Sequence, residues 1–138
     1  MKTVLTYGTF DLFHVGHVNL LQRAKALGDQ LIVGVSTDEF NFSEKNKTTI
    51  VPFEHRVKVL ESCRHVDLVV PEQSWQQKVE DIQKYQVDVF VMGDDWNGKF
   101  DDLKAYCDVI YLPRTRSISS TAIKQAMAVL SQLNQELN

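Results

Sequence analysis

The most constraining feature of the chain is a regular alternation of short apolar runs with helix-like segments. Five runs rich in Val, Ile and Leu predict strands at Thr3–Tyr7, Gln30–Ser36, Val66–Val70, Val87–Met92 and Val109–Leu112. Continuous apolar runs of this length are typical of strands buried on both faces. Helical patterns lie between and after them, at His17–Leu27, Pro52–Cys63, Trp75–Tyr85 and Ser119–Leu133. The alternation predicts an α/β fold, a doubly wound parallel sheet covered by helices on both faces.

The bulk properties fit one compact domain over residues 1–138, with fraying expected only in the last few residues. A net charge of −3 gives no support for a nucleic-acid or membrane surface. No apolar run approaches the roughly 18 residues that span a bilayer, and no signal-peptide pattern is visible. Cys63 and Cys107 are isolated, so no disulfide framework is indicated and a cytoplasmic location is expected.

Two histidines flank a glycine where the first helical pattern begins, in His14-Val15-Gly16-His17. Free N–H groups and the helix dipole at such a position attract phosphate, and imidazoles can stabilise charge that develops on phosphorus. Gly16 has no Cβ, so its backbone can approach a phosphate closely. The motif predicts phosphate chemistry, specifically nucleotidyl transfer. A metal site is disfavoured because the spacing is three and no third ligand clusters nearby, and two loop-capping histidines are the structural alternative.

A second candidate anion site precedes the last predicted helix, in the run Arg114-Thr115-Arg116-Ser117-Ile118-Ser119-Ser120-Thr121. Ser119 is a natural N-cap, since its hydroxyl can accept from the first N–H groups of the helix. The neighbouring hydroxyls and the two arginines could donate further hydrogen bonds to phosphate oxygens. A capped helix with unrelated surface charges is the alternative.

The segment Gly93–Phe100 nearly spells a phosphate-binding P-loop. Phe100 replaces the hydroxyl that would hold magnesium, and Asp94 and Asp95 would repel phosphates, so we reject that interpretation. The loop's carboxylates and Trp96 suit a ribose or base contact better, with Asp94 the candidate for the ribose hydroxyls and a solvated turn as the alternative.

Polar residues at Asn41–Thr49 predict a loop after the second strand, with Lys45 and Lys47 on the same sheet edge as the histidines. A solvated surface loop is the usual explanation for such lysines. Arg56, Arg64 and Lys78, considered alone, would be exposed charges.

Several stretches together resemble the cytidylyltransferases of the HxGH nucleotidyltransferase superfamily, most of all the branch that acts on glycerol 3-phosphate. The resemblance covers the chain to about Ala128. It rests on Tyr7–Asp11, His14–His17, Ser36–Asn41, Glu54–Arg56, Val89–Trp96, Leu112–Thr115 and Ser119–Thr121.

The resemblance implies a Rossmann-like homodimer that uses CTP, sn-glycerol 3-phosphate and Mg²⁺, and that forms CDP-glycerol and pyrophosphate. CDP-glycerol would feed teichoic acid or capsule synthesis. Carried over by position, the nucleotide-binding residues are Thr9, Phe10, His14, Val15, Gly16, His17, Lys47, Asp94, Arg114, Thr115, Arg116, Ser117, Ile118, Ser119, Ser120 and Thr121. The predicted substrate-binding residues are Lys45, Lys78, Asp11, Asp38, Arg56, Arg64 and Trp75, with Arg56 and Arg64 near the phosphates or a subunit interface.

Four of these residues form the predicted catalytic set, namely His14, His17, Lys45 and Arg114. The mechanism implied is direct in-line attack at the α-phosphorus, with catalysis by positioning and charge stabilisation. Asp11 would orient a histidine or help to place Mg²⁺, and a turn-stabilising Asp is the alternative.

The chain departs from the family pattern at Ser117, Ser120 and Arg116, where glycine, threonine and an acidic residue are usual. The sequence of Thr48–Val51, next to the predicted acceptor-binding Lys45, also differs from the family pattern. Open alternatives are an adenylyltransferase, a cytidylyltransferase for another alcohol such as phosphoethanolamine, and a module that binds CTP without turnover. A metal-binding regulatory domain is a more remote alternative.

Overall fold

The computed structural model describes residues 1–115 and 119–137 and places one five-stranded sheet at the centre of the chain. All strand pairs are parallel, in the order β3-β2-β1-β4-β5. The strands are β1 (Thr3–Gly8), β2 (Gln30–Ser36), β3 (Leu68–Glu72), β4 (Val89–Gly93) and β5 (Asp108–Leu112). The helices are α1 (Val15–Lys25), α2 (Asp38–Glu44), α3 (Phe53–Glu61), α4 (Gln77–Lys84) and α5 (Ser120–Leu137). Short 3₁₀ helices at Asp94–Trp96 and Asp101–Ala105 connect β4 to β5.

The core lies on both faces of the sheet, as predicted. Val4 and Leu5 are neighbours on β1, and they point to opposite faces because side chains alternate along a strand. Val4 packs in one cluster with Leu21 of α1, whereas Leu5 packs in the other with Ile82 of α4. The predicted doubly wound parallel fold is therefore confirmed.

The strand order reverses direction beside β1, since β2 pairs with one side of β1 and β4 with the other. Right-handed crossovers then send the connecting helices to opposite faces, and the loops that follow β1 and β4 separate. Ligands of open α/β sheets bind in the crevice that this switch creates at the carboxyl ends of the strands. The topology alone therefore points to one edge of the sheet.

The bounds of the third strand were predicted two residues too early, because the structure has β3 at Leu68–Glu72 rather than at Val66–Val70. The strand contains Pro71, which pairs with Val35 of β2. A proline is tolerated there because β3 is an edge strand and its missing N–H leaves no partner unsatisfied. The shift matters because it brings Glu72 to the functional edge.

The predicted loop at Asn41–Thr49 is wrong in its first part, since α2 runs from Asp38 to Glu44. Thr37 caps this helix by accepting a hydrogen bond from the Phe40 N–H at 3.1 Å. At the other end of the chain α5 continues to Leu137 instead of ending at Leu133. In the two described ranges, no helix has both the length and the apolar character that a membrane span requires.

Candidate active site

A cavity of about 660 Å³ opens at the carboxyl edge of the sheet, between the ends of β1 and β4. The loop after α2 and the first turns of α5 complete its walls. It brings together many of the predicted residues, namely Thr9, Phe10, Asp11, His17, Lys45, Lys47, Trp75, Trp96, Lys78, Arg114, Ser119, Ser120 and Thr121. Residues far apart in the sequence thus meet in one place.

The two histidines cap α1 reciprocally. The Gly16 N–H donates to His14 Nδ1 at 3.0 Å, and the His14 N–H donates to His17 Nδ1 at 3.1 Å. A ring nitrogen that accepts from an amide carries no proton, so each neutral imidazole carries its proton on Nε2. The cap therefore fixes the tautomers and leaves two Nε2–H donors.

His17 is enclosed by other rings. His14 stacks on it with ring centroids 3.9 Å apart, and Phe13 stacks at 5.5 Å. Phe10 meets it edge-on at 5.4 Å, from a backbone with φ of 55°. Burial, with a smaller contribution from His14, lowers the pKa of His17 to about 4, and burial also lowers the pKa of His14. Both rings are therefore neutral hydrogen-bond donors at pH 7.

Asp11 joins three walls of the cavity. Its carboxylate accepts from the N–H groups of Ile50 and Val51, both at 2.9 Å, and from Lys124 Nζ at 2.9 Å. Its carbonyl oxygen accepts from Ser120 Oγ at 2.6 Å. Burial alone would raise the pKa of Asp11, but the hydrogen bonds from Lys124 and the two amides hold it below its ordinary value.

These contacts bear directly on the predicted magnesium ligand. Both carboxylate oxygens of Asp11 already accept hydrogen bonds, so they do not fit a metal-binding role. In residues 1–115 and 119–137 no group of three or more His, Cys, Asp or Glu side chains could hold an ion.

The first turn of α5 forms another wall. Ser119 Oγ accepts from the Ala122 N–H at 3.1 Å, which confirms the predicted N-cap. Arg114 lines the cavity from the segment after β5, whereas the Thr115 hydroxyl accepts from Asn19 Nδ2 at 2.9 Å. The predicted residues Arg116, Ser117 and Ile118 lie outside the described residues.

The far wall contains a charged cluster that the sequence analysis missed in part. Glu72 is only 1% exposed, and its carboxylate contacts Lys78 Nζ at 2.9 Å and Lys45 Nζ at 3.5 Å. Two ammonium groups and one carboxylate leave a net positive charge, which suits an anion. The signal for Glu72 was a charged residue that follows an apolar run and one proline, three positions before Trp75.

Aromatic rings surround these ammonium groups. Lys78 Nζ lies 4.6 Å from the Tyr7 ring centroid, 5.0 Å from that of Trp75 and 5.5 Å from that of Phe100. Such contacts stabilise a cation through the ring quadrupole. The Tyr7 hydroxyl donates to Asp81, and burial together with this carboxylate raises the pKa of Tyr7, so the phenol stays protonated.

Arg56 does not reach the cavity. It is 1% exposed, and its guanidinium donates to the carbonyl oxygens of Val51, Thr9 and Ser36 at 2.8–2.9 Å and to the Asp38 carboxylate at 2.7 Å. The Arg56–Asp38 pair thus braces the loops behind the cavity. The predicted substrate contacts of both residues find no support in this arrangement.

The remaining predicted residues lie at different distances from the cavity. Arg64 lies just before β3, at the amino edge of the sheet, where the strands begin. Because the strands are parallel, this edge is opposite the carboxyl edge that carries the cavity. His14, Val15 and Gly16 stand at the start of α1, beside the walls rather than among the lining residues. Asp95 lines the cavity where Asp94 was predicted.

The family model described as cytidylyltransferase-like matches residues 5–126 of this chain. The chain belongs to the cytidylyltransferase-like family. Glycerol-3-phosphate cytidylyltransferase of Bacillus spizizenii is 62% identical over 130 residues, which cover 94% of this chain and 100% of that protein. Glycerol-3-phosphate cytidylyltransferase of Staphylococcus aureus is 58% identical over 127 residues, or 92% and 96% of the two chains.

A solved structure supports the fold of this cytidylyltransferase-like chain independently. The lipopolysaccharide core biosynthesis protein from Thermoplasma volcanium superposes with a TM-score of 0.70 at 23% identity. The match covers 86% of this chain and 99% of that one. At this identity the likeness shows the shared fold and nothing more specific.

Proposed function

We propose that this cytidylyltransferase-like chain transfers the cytidylyl group of CTP to sn-glycerol 3-phosphate, giving CDP-glycerol and pyrophosphate. The observation that carries the proposal is the meeting of two anion-binding groups in one cavity. His17, on which the His14 ring stacks, and the N-terminus of α5 form one group, and the pair Lys45 and Lys78 forms the other. The near full-length relatives with this activity in their names support the choice of substrates.

The nucleotide lies at the histidine end in this proposal. An oxygen of the acceptor phosphate attacks the α-phosphorus of CTP, and the bond from that phosphorus to the oxygen of pyrophosphate breaks. His17 and His14 donate from Nε2 to phosphate oxygens as charge develops. Both rings are neutral at rest and keep their proton on Nε2, because each Nδ1 accepts from a backbone amide.

The leaving pyrophosphate lies against the first turn of α5. Ser119, Ser120 and Thr121 line the cavity there, and Arg114 lines it from the preceding segment. Free N–H groups at a helix N-terminus and an arginine fork both favour phosphate oxygens. These groups stabilise the negative charge that pyrophosphate gains when it departs.

The acceptor phosphate lies between Lys45 and Lys78. Both ammonium groups face the cavity, and Trp75 lies beside them. In this proposal one phosphate at the lysines and the triphosphate at the histidines share the same 660 Å³ cavity, since His17, Lys45 and Lys78 all line it. Direct transfer therefore needs no covalent enzyme intermediate.

Magnesium enters the proposal only as a partner of the nucleotide. Mg²⁺ commonly binds through substrate phosphates and keeps several of its waters. Since the Asp11 oxygens are engaged by two amides and Lys124, we propose that phosphate oxygens of CTP hold the cation and that Asp11 positions the surrounding loops.

We also propose that two copies associate at the amino edge of the sheet, near Arg64. Val59 and Leu68 expose 42% and 39% of their surface in this region, which supports an apolar contact there. Sedimentation of Leu68→Lys against the unchanged chain tests it, and an unaltered dimer would contradict this placement. The product would supply glycerol phosphate to teichoic acid or capsule polymers.

The decisive experiment measures pyrophosphate release with CTP and ATP, each against glycerol 3-phosphate, phosphoethanolamine and glycerol. We expect turnover with CTP and glycerol 3-phosphate to exceed every other pair by at least about tenfold, which corresponds to about 1.4 kcal/mol. Preference for ATP or for phosphoethanolamine would replace the proposed substrates. Binding of CTP in calorimetry without release would instead indicate a sensor.

A further inference from the structure

Glu72 is a buried carboxylate for which the proposed reaction has no chemical task. It stands at the carboxyl end of β3, where it pairs in register with Ser36 of β2. Its carbonyl oxygen accepts a hydrogen bond from the Thr37 N–H at 3.1 Å, so the Glu72 backbone is tied to the end of β2. The carboxylate itself is anchored at a fixed point of the cavity wall.

The only hydrogen-bond partners of this carboxylate among the described residues are two lysines from different elements. Lys78 belongs to α4, and Lys45 is the residue directly after α2. Two ammonium groups this close repel each other, and burial adds a cost to each charge. One carboxylate between them offsets both effects, and it sets the spacing at which the two cations face the cavity.

We propose that Glu72 is a positioning residue that holds Lys45 and Lys78 as a preformed, charged pair for the phosphate of the acceptor. The inference rests on the proposed function, because it assigns the acceptor end of that same cavity. Glu72 does not touch the reacting atoms. It acts through the two lysines, so its removal affects the acceptor more than the nucleotide.

The two lysines have unequal parts in this arrangement. Lys78 has a side chain only 5% exposed, and it lies at 2.9 Å from Glu72 among three aromatic rings. Lys45 is 12% exposed, and its contact with Glu72 is longer at 3.5 Å. Lys78 is therefore the fixed member of the pair, and Lys45 is the member that shifts from Glu72 to an arriving phosphate.

The charge of Lys45 depends on its surroundings. The charged groups that face it are Glu72 from β3, Lys78 from α4 and Lys47 from its own loop, and the rings of Phe40 and Trp75 complete the surroundings. Burial lowers the pKa of Lys45, Glu72 opposes this effect, and the two lysines add to it. Without the carboxylate, Lys45 loses its proton at a lower pH.

The test compares Glu72→Gln with the unchanged enzyme and with Glu80→Gln, which removes an exposed carboxylate from the neighbouring helix α4. For Glu72→Gln we expect KM for glycerol 3-phosphate to rise about tenfold or more at pH 8, since hydrogen bonds to charged groups contribute on this scale. KM for CTP changes less than about twofold, and the acceptor effect grows from pH 7 to pH 9. Glu80→Gln behaves as the unchanged enzyme in every assay.

A double-mutant cycle with Lys45→Met separates positioning from general damage. If Glu72 acts through Lys45, Glu72→Gln adds much less to the acceptor KM in the Lys45→Met background than alone. An unchanged acceptor KM, an equal rise in both KM values or fully additive effects would each overturn the inference.

If Glu72→Gln does not fold, Glu72→Asp is the substitute variant. It keeps the carboxylate charge, but its side chain is one methylene shorter, so the carboxylate lies farther from the two lysines. We expect a smaller rise in acceptor KM, with the KM for CTP unaffected, and no rise would overturn the inference. Turnover of the unchanged enzyme with glycerol 3-phosphate tests the proposed function separately. The ratio of variant to unchanged enzyme is measured with whichever acceptor phosphate supports turnover.

Discussion

At the histidine end of the cavity, the His17 ring is oriented by a hydrogen bond from the His14 N–H, only three residues away in the sequence. At the lysine end, Lys45 and Glu72 are in contact although 27 residues separate them in the sequence. The histidine end uses the cap of a helix, in which the backbone itself sets the geometry. The lysine end uses buried charges that three separate elements bring together. One end is made by local structure, and the other depends on the whole fold.

The two ends also differ in charge. The imidazoles are neutral at rest because burial lowers the pKa of both His14 and His17. The lysine end holds two ammonium groups against one carboxylate. We expect losses at the histidine end to affect the chemical step, and losses at the lysine end to affect acceptor binding.

The largest effect is expected for His17→Ala, which removes a donor from the histidine end. Loss of one preorganised donor of this kind lowers turnover by about 10²–10³. The acceptor KM should change much less than kcat, and steady-state kinetics with both substrates measures the difference. The matched control is His55→Ala, since His55 is exposed on α3. Turnover of His17→Ala near that of the control would remove His17 from the mechanism.

A second variant, Gly34→Ala, is expected to disturb Lys78 indirectly, through the ring of Tyr7. A Cβ at Gly34 would approach the Tyr7 ring to 2.3 Å, and that ring supports Lys78 at 4.6 Å. Overpacking of this kind lowers the free energy of unfolding by about 1–3 kcal/mol. We expect the acceptor KM to rise, while the KM for CTP stays within about twofold.

Tyr7→Phe is the control for this prediction, because it keeps the ring and removes only the hydroxyl that donates to Asp81. Its acceptor KM should stay closer to that of the unchanged enzyme. An acceptor KM unaffected by Gly34→Ala in a folded protein would show that the Tyr7 ring does not place Lys78.

A smaller effect is expected from the pH dependence of the histidine end. The pKa of His17 is about 4 in the folded chain, below the value of about 6.5 expected when the chain is unfolded. The unfolded chain therefore binds the proton first as the pH falls. The free energy of unfolding should decrease between about pH 6.5 and pH 4, and it should decrease less in His17→Gln.

Urea unfolding of both proteins across this pH range measures the difference. NMR titration of the His17 ring gives its pKa directly. A midpoint near 6.5 would contradict the neutral, buried ring on which the proposed donor role depends.

The smallest effect is expected for Ser119→Ala at the N-cap of α5. Loss of the bond to the Ala122 N–H costs about 1 kcal/mol of helix stability. Amide exchange of Ala122 should accelerate, and KM for CTP should rise slightly because the first turn loosens. Thr121→Ser is the control, since it keeps a hydroxyl in the cavity wall. Unaltered exchange at Ala122 would show that the cap does not stabilise this turn.

The same contrast explains what the sequence could predict. The parallel sheet followed from apolar runs, and the place of the histidines at the start of a helix and the Ser119 cap followed from residue types at helix starts, because these signals are local. His17 of α1 and Ser120 and Thr121 of α5, which line the cavity, could therefore be identified before the fold was known, whereas Tyr7, Leu20 and Lys124 were not.

The lysine end could be predicted only in part. Lys45 and Lys78 came from the family resemblance, but Glu72 is recognised only when β2 and β3 pair and bring Ser36 opposite it. Arg56 was expected to be exposed, yet it is buried because four oxygens from separate segments surround its guanidinium. Asp11 was ambiguous for the same reason, since its partners Ile50, Val51 and Lys124 are distant in the chain.

The most direct test of the two-ended cavity is a crystal structure with CDP-glycerol bound. We expect a phosphate oxygen of the cytidylyl group within hydrogen-bonding distance of His17 Nε2, and the glycerol phosphate beside Lys45 and Lys78. CDP-glycerol bound outside the cavity between β1 and β4, or bound there with neither phosphate near these three side chains, would contradict the account.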